Sequence, residues 1–297
     1  MNYLQLIYDL AEQKELTGHT RTAANYRSAA RAFTRFLHTR DMNELHIERL
    51  TPVLAMQFEN YLLHTQGVCR NTSSFYIRQL RAAYNTAVRD GCCTDLQPFR
   101  DVYKSVAATR KRAAEAEDLQ RLFHLDLTDN PELMFSRDLF YFCFLGRGIP
   151  FIDLVKLQKR HIEGAHLIYQ RSKTGQLVVV ELAPAMKSII ERWHQATSRC
   201  LFPILPAGFT QRSYDSALRR YNRHLKLLSH LCGLECHLSS YIARHSWASE
   251  AYRLGVPIQT ISTCMGHTTE ETTHIYLRSL STTHIDQSAR TVLKVYG

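Results

Sequence analysis

The chain has no apolar stretch long enough to cross a bilayer. Its longest purely apolar run, LFYFCFL from Leu139 to Leu145, is far short of the ~20 residues a membrane helix needs. The first residues, MNYLQLIYDLAEQ, carry acids where a secretory signal has a basic flank and an apolar block. The sequence therefore reads as a soluble, non-secreted protein. Eight cysteines, at positions 69, 92, 93, 143, 200, 232, 236 and 264, lack the regular spacing of a disulfide framework and fit a reducing cytoplasm. Cys232, Cys236 and His237 in CGLECH are spaced one residue too far for a CxxC knuckle, and no second pair follows, so buried thiols are expected there and no metal. Acids are also in short supply. Against 37 Lys+Arg stand 27 Asp+Glu, a formal +10 before any of the 15 His protonate. Such a surplus calls for a polyanion, and nucleic acid or an anionic membrane would both satisfy it. The placement of the charge has to decide.

The apolar share of 45% and charged share of 22% exclude a disordered or fibrous chain, and the length allows two domains, each with its own core. Leu4, Ile7, Tyr8 and Ala11 keep one helical face, as do Phe33, Phe36 and Leu37. Thr51 followed by Pro52 reads as an N-cap with proline at the first helical position, leading into Leu54, Phe58, Tyr61 and Leu62 and stopping at Gly67. A fourth helix begins near Asn71 and Thr72 and runs to about Arg89. Tyr76, Leu80, Ala83, Tyr84 and Ala87 point inward, and Gly91 terminates it. Its other face carries Arg78, Arg81, Asn85 and Arg89. A basic stripe is ordinarily a solvated surface; no acid interrupts this one before Asp90, which favours a face for phosphates. Apolar periodicity then lapses from Gln97 to Glu117, and TRKRAAEAED, with Arg110, Lys111 and Arg112, reads as a basic linker. The expected division is a helical domain over 1–108, a linker over 109–117 and a second domain over 118–297.

The second domain is mixed. Glu117 to Phe123 and Ser136 to Phe144 have helical periodicity, and HIEGAHLIYQRSKTGQLVVVELAP reads as two strands around the turn Ser172-Lys173-Thr174-Gly175. Pro184 opens a helix in which Met186, Ile189, Ile190 and Trp193 share a face. From Arg212 to His230 a longer helix puts Tyr214, Leu218, Tyr221, Leu225 and Leu228 on one side and Arg212, Arg219, Arg223 and Lys226 on the other. The apolar faces of both basic helices look like ordinary core stripes, so a membrane surface fits poorly. Double-stranded DNA gripped from two domains fits better. The fold class expected is mainly α with a small β-sheet.

Chemistry concentrates near the C-terminus. Arg244 and His245 lie in the apolar helical context YIARHSWAS, where a buried guanidinium is costly unless it meets an anion; an isolated arginine would instead extend its head to solvent. Downstream, IQTISTCMGH ends at Gly266-His267, and TTEETTHIY places Tyr276 nine positions after His267. With 15 Tyr in the chain, any single one is a weak candidate, but this one follows a polar stretch at a fixed distance from a histidine. A phenol near its free pKa of about 10 is a poor nucleophile unless something orients it and stabilises the charge formed.

RHSWAS, then MGH, then the tyrosine together resemble the phage-integrase family of tyrosine recombinases, and the resemblance extends over most of the chain. It implies an N-terminal helical, SAM-like core-binding domain, a basic linker and a C-terminal catalytic domain with a hairpin lysine. It also implies strand exchange without metal or nucleotide cofactor: the tyrosine attacks a phosphodiester, forms a 3'-phosphotyrosyl bond and releases a 5'-hydroxyl. On this resemblance Tyr276 is the nucleophile, Arg244 clamps the nonbridging oxygens, and His267 donates a hydrogen bond or accepts a proton. Lys173, in SKTGQ, is the general acid. Guanidinium forks suit the charge that builds on phosphoryl oxygens, and a leaving 5'-oxygen needs a proton. Alone, Lys173 would be read as a surface lysine in a turn.

Two positions depart from the family pattern. Where Gly-x-Arg-x-x-Glu/Asp is usual, alignment on Asp153 in GIPFIDLVKL puts Pro150 in the arginine slot, and Arg147, three residues earlier in LGRGIPFID, is the nearby substitute. Three residues before Arg244, Tyr241 replaces the usual His or Lys; a phenol donates a hydrogen bond but carries no positive charge at neutral pH. Asp153 is read as orienting a neighbouring arginine or capping a turn, and His274 as packing locally. Two rivals remain: a topoisomerase that shares the chemistry but reseals the same strand, and a DNA-binding protein that has lost it. The segment after Tyr276, with Ile285, Val292 and Leu293 apolar, is long enough for a helix. In the family such a tail docks on a neighbouring protomer, with four protomers on two duplexes during exchange.

Overall fold

A computed structural model describes residues 1–107 and 113–277, with 275–277 described by backbone alone. Arg110, Lys111, Arg112 and the segment after Leu277 lie outside the described residues. The chain divides into two compact units, Met1–Thr109 and Arg110–Gly297.

The first unit is helical. Helix α1 (Tyr3–Leu16) starts where the Asn2 side chain accepts from the Leu4 and Gln5 amides at 3.0 and 3.3 Å, satisfying two donors that the first turn leaves without helical partners. Tyr3, Leu4, Ile7, Leu10 and Ala11 are buried, whereas Tyr8, expected on that face, is exposed at its edge. Helix α2 (Thr20–His38) contributes Phe33 and Phe36. Helix α3 (Pro52–Asn60) has the expected threonine cap, Thr51 accepting from the Leu54 amide at 3.2 Å, and a π-helical turn carries the chain on through Thr65 towards Gly67. Helix α4 (Arg70–Arg89) buries Ile77, Leu80, Ala83, Tyr84 and Ala87. Phe33 and Phe58 pack edge to face with centroids 4.9 Å apart, and the Tyr3 hydroxyl donates to the Leu80 carbonyl at 2.5 Å, tying α1 to α4 through the core.

In the second unit, α5 (Ala116–Phe123) begins inside the stretch expected to be linker. Just before it, Ala114 is buried and its amide donates to Ser246 Oγ at 2.9 Å. Helix α6 (Pro131–Leu145) starts five residues before the expected Ser136, because Asn130 caps the Leu133 amide and Pro131 takes the first position. The apolar run at its end supplies Phe140 and Phe142 to the core. A short helix α7 (Phe151–Leu154) precedes the sheet. That sheet has three antiparallel strands rather than two: β1 (Ile162–Glu163), β2 (His166–Gln170) and β3 (Leu177–Glu181), ordered β1-β2-β3, with Tyr169 opposite Val178. The extra strand arises because Gly164, at φ +59°, reverses the chain. Helices α8 (Pro184–Trp193) and α9 (Gln211–Leu231) pack with α6. Helices α10 (Ile242–Arg253) and α11 (Ile258–Cys264) enclose a small cluster of Ala248, Ala251, Ile261 and Met265, followed by α12 (Glu270–Leu277). No described helix is long and apolar enough to cross a membrane.

Candidate active site

Three segments distant in sequence converge: the turn after α6, the β2–β3 turn, and the α10–α12 region. Helix α10 buries Arg244 to 2% exposure. Its Nη1 donates to the Gly148 carbonyl at 2.7 Å, and its Nη2 donates to the Met265 carbonyl at 2.6 Å and to His267 Nε2 at 2.8 Å. A guanidinium cannot accept, so Nε2 is the acceptor and the ring proton sits on Nδ1, which donates to Thr273 Oγ1 at 2.8 Å. Thr273 is fully buried on α12, three residues before Tyr276. The His267 pKa is lowered to about 3, first by burial and then by the positive charges of Arg244, Arg171 and Lys173. The imidazole is therefore neutral at physiological pH and surrounded by cations.

Lys173 stands exposed in the β2–β3 turn. The turn is closed by the Arg171 amide donating to Gln176 O and the Gly175 amide donating to Arg171 O, both at 2.8 Å. It is fastened to the histidine turn by Thr174 Oγ1, which donates to the Gly266 carbonyl at 3.2 Å. Gly266 itself has φ +63°, and a Cβ there would lie 3.0 Å from Arg171 Cγ and Val178 Cγ2. A side chain there would carry the strain of the positive φ and press on the hairpin, which glycine avoids.

Arg147 takes φ +63°, a left-handed conformation unusual for a residue with a side chain. Its Nη1 donates to the Val179 carbonyl at 3.1 Å and to Cys264 Sγ at 3.8 Å. The head group thus reaches the residue before Met265, whose carbonyl serves Arg244. Backbone strain of this kind recurs at functional sites. Tyr241 is 46% exposed at the start of α10 and meets the His245 ring edge to face, with centroids 4.8 Å apart.

Sequence reasoning missed Arg171. It is 6% exposed, its Nε lies 3.0 Å from Asp153 Oδ2, and its Nη1 donates to the same Met265 carbonyl that Arg244 uses. Asp153 Oδ1 accepts from the Ser172 amide at 2.8 Å. A signal was available: Leu167 and Tyr169 are the inward residues of β2, and strand alternation puts Arg171 next on that face. Thr273 was also missed, and His274, expected to pack, is exposed.

The structure therefore gathers Arg244, His267 and Lys173, with Arg147 at the edge. Tyr276 belongs to α12, and its side chain lies outside the described residues. On α4 of the first unit Arg78, Arg81 and Arg89 are exposed, as are Arg212, Arg219 and Arg223 on α9 of the second.

The chain thus carries a helical unit followed by a unit in which the hairpin turn bearing Lys173 is fastened to the histidine turn and the histidine is bound by a buried arginine. A family model described as a phage integrase SAM-like domain matches residues 2–105, and one described as the phage integrase family matches residues 114–282. The chain belongs to the phage integrase family, the tyrosine recombinases. Tyrosine recombinase XerC of Alcanivorax borkumensis is 28% identical over 243 residues, covering 75% of this chain and 72% of that protein. XerC of Rickettsia peacockii is 23% identical over 132 residues, covering 44% of this chain and 43% of that one, so the match spans less than half of that relative. Among solved structures, a lambda integrase tetramer bound to a Holliday junction superposes with TM-score 0.69 at 15% identity, covering 93% of this chain and 77% of that one. The Tn1549 transposon integrase in complex with transposon right end DNA gives 0.66 at 15% identity, covering 99% and 100%. The fold class is that of these integrases, mostly helical with a small sheet.

Proposed function

We propose that this protein is a site-specific recombinase that cuts and rejoins duplex DNA through a 3'-phosphotyrosyl intermediate. The observation that carries the reading is Arg244 hydrogen-bonded to a neutral His267 whose pKa the positive charge of Lys173 helps to lower, the histidine being joined through Thr273 to the helix bearing Tyr276. The Tyr276 oxygen attacks phosphorus as the bond to the 5'-oxygen breaks, and Lys173 gives that oxygen its proton. Arg244 and, from the edge, Arg147 stabilise charge on the nonbridging oxygens. His267, neutral with Nε2 as its acceptor, takes the phenolic proton as Tyr276 attacks and returns it when the phosphodiester is restored. A 5'-hydroxyl then attacks the phosphotyrosine and restores the phosphodiester, so no metal or nucleotide is consumed. Tyr241 supplies no charge at neutral pH, which predicts slower chemistry than a His or Lys there would give.

Arg78, Arg81 and Arg89 on one unit and Arg212, Arg219 and Arg223 on the other are assigned to backbone phosphates, as are Arg110, Lys111 and Arg112 between the expected domains 1–108 and 118–297. Partners are double-stranded DNA and further copies of the chain, four during exchange, with the segment after Leu277 reaching a neighbour. The setting is DNA in the cytoplasm. The test begins by selecting bound duplexes from a randomised pool, nicking them near the site of attack, and looking for a covalent protein–DNA adduct. Unaltered protein should form one and Tyr276→Phe none. Absence of any adduct from unaltered protein sinks the reading, and relaxation of supercoiled plasmid without exchange between sites replaces it with a topoisomerase.

A further inference from the structure

Arg171 makes four connections that no other described residue makes together. Its backbone closes the turn carrying Lys173. Its guanidinium lies against Asp153 at the end of α7, and Asp153 in turn accepts from the amide of Ser172, beside Lys173. Its Nη1 donates to the Met265 carbonyl, shared with Arg244. Its stem lies 3.0 Å from where a Cβ on Gly266 would stand. Hairpin, α7 and histidine turn are thus joined by one nearly buried side chain.

We propose that Arg171 is a positioning residue that sets the hairpin lysine and the His267 turn at a fixed separation, so that Lys173 meets the leaving 5'-oxygen while Arg244 holds the phosphate. The inference rests on the reading above and adds a residue to it. The chemistry explains why an arginine is needed. Lys173 sits on an exposed turn and its flexible stem can take many positions, whereas the nearly buried Arg171 guanidinium is held between its ion pair with Asp153, whose facing Nε and Oδ2 atoms make no hydrogen bond, and its hydrogen bond to the Met265 carbonyl. A lysine at 171 would keep the charge facing Asp153 but could not hold both partners.

The experiment compares adduct formation on two nicked duplexes of the same sequence, one with the natural 5'-bridging oxygen and one with sulfur at that atom. A thiolate leaves without a proton, so sulfur removes the need for a general acid. Lys173→Ala calibrates the assay by losing rate on oxygen and recovering it on sulfur. Arg171→Met and Arg171→Lys are expected to bind duplex like the unaltered protein, to lose on the order of 10²-fold and 10-fold in rate on oxygen, and to recover most of it on sulfur. Equal losses on both duplexes, from variants that melt and bind normally, assign Arg171 to general structure and overturn the proposal. Full activity of both variants on oxygen also overturns it. If Arg171→Met does not fold, Arg171→Lys alone decides between these outcomes. Failure of the unaltered protein to form an adduct on either duplex is a different result, which removes the recombinase reading itself.

Discussion

Gly148 offers a sharp test of how the Arg244 pocket is built. It has φ +77°, and a Cβ there would lie 2.7 Å from Arg244 Cα, 2.7 Å from Cγ and 2.9 Å from Cβ. The nearest of these is a backbone atom of α10, which cannot move aside without moving the helix. Gly148→Ala therefore carries two costs: about 1–2 kcal/mol for a left-handed L-residue, and about 1–3 kcal/mol for forced overlap in a packed interior. Gly164 is the control, with φ +59° and nothing within 4 Å of its added Cβ, so Gly164→Ala meets the first cost alone. The difference between the variants should be about 1–3 kcal/mol, or roughly 2–12 °C in the melting of a unit of this size. Because Arg244 Nη1 donates to the Gly148 carbonyl, the displacement passes to the guanidinium. Adduct formation measured well below the melting transition should then fall by ~10² or more in Gly148→Ala, the loss expected when one preorganised donor is misplaced. Calorimetry and the nicked-duplex assay read both effects. If Gly148→Ala proves as stable and as active as Gly164→Ala, the close approach of the α6 turn to Arg244 is refuted.

Two further outcomes are expected. The His267 pKa is lowered from 6.5 to about 3 in the fold, so between those values the unfolded chain binds a proton that the native one does not, and stability rises with pH through that window and is lost as pH falls. His267→Gln should weaken the dependence of the urea midpoint between about pH 4.5 and 7, and identical dependence in both proteins would remove His267 as its source. Arg219→Ala and Arg223→Ala change exposed positions on α9; each should reduce the slope of log affinity for duplex against log salt by about 0.9, and an unchanged slope would take that face off the phosphates.

Much of the fold was legible because it is local. The Thr51-Pro52 start of α3, the inward residues of α4 and the hairpin around Lys173 all follow from spacing and capping chemistry that act within a few residues. The errors have local causes too. The start of α6 was placed late because its first turn is signalled by Asn130 and Pro131 rather than by apolar periodicity, and β1 was missed because two residues carry no period. Arg171 was overlooked for a different reason: a lone arginine after a strand looks like surface until Asp153 and the Met265 carbonyl, 18 and 94 residues away, are seen beside it.

By itself the sequence determined the helical and mixed units, the basic faces of α4 and α9, and the order Lys173, Arg244, His267 and Tyr276 that relates the chain to its family. Which arginines are buried, that His267 is neutral with its proton directed to Thr273, and that Arg147 reaches Cys264 while Arg171 reaches the Met265 carbonyl were decided only by the tertiary structure. The physical reason is that capping and periodicity are set by neighbours along the chain, whereas a group's charge state and hydrogen-bond partners depend on burial and on cations brought to it from other elements.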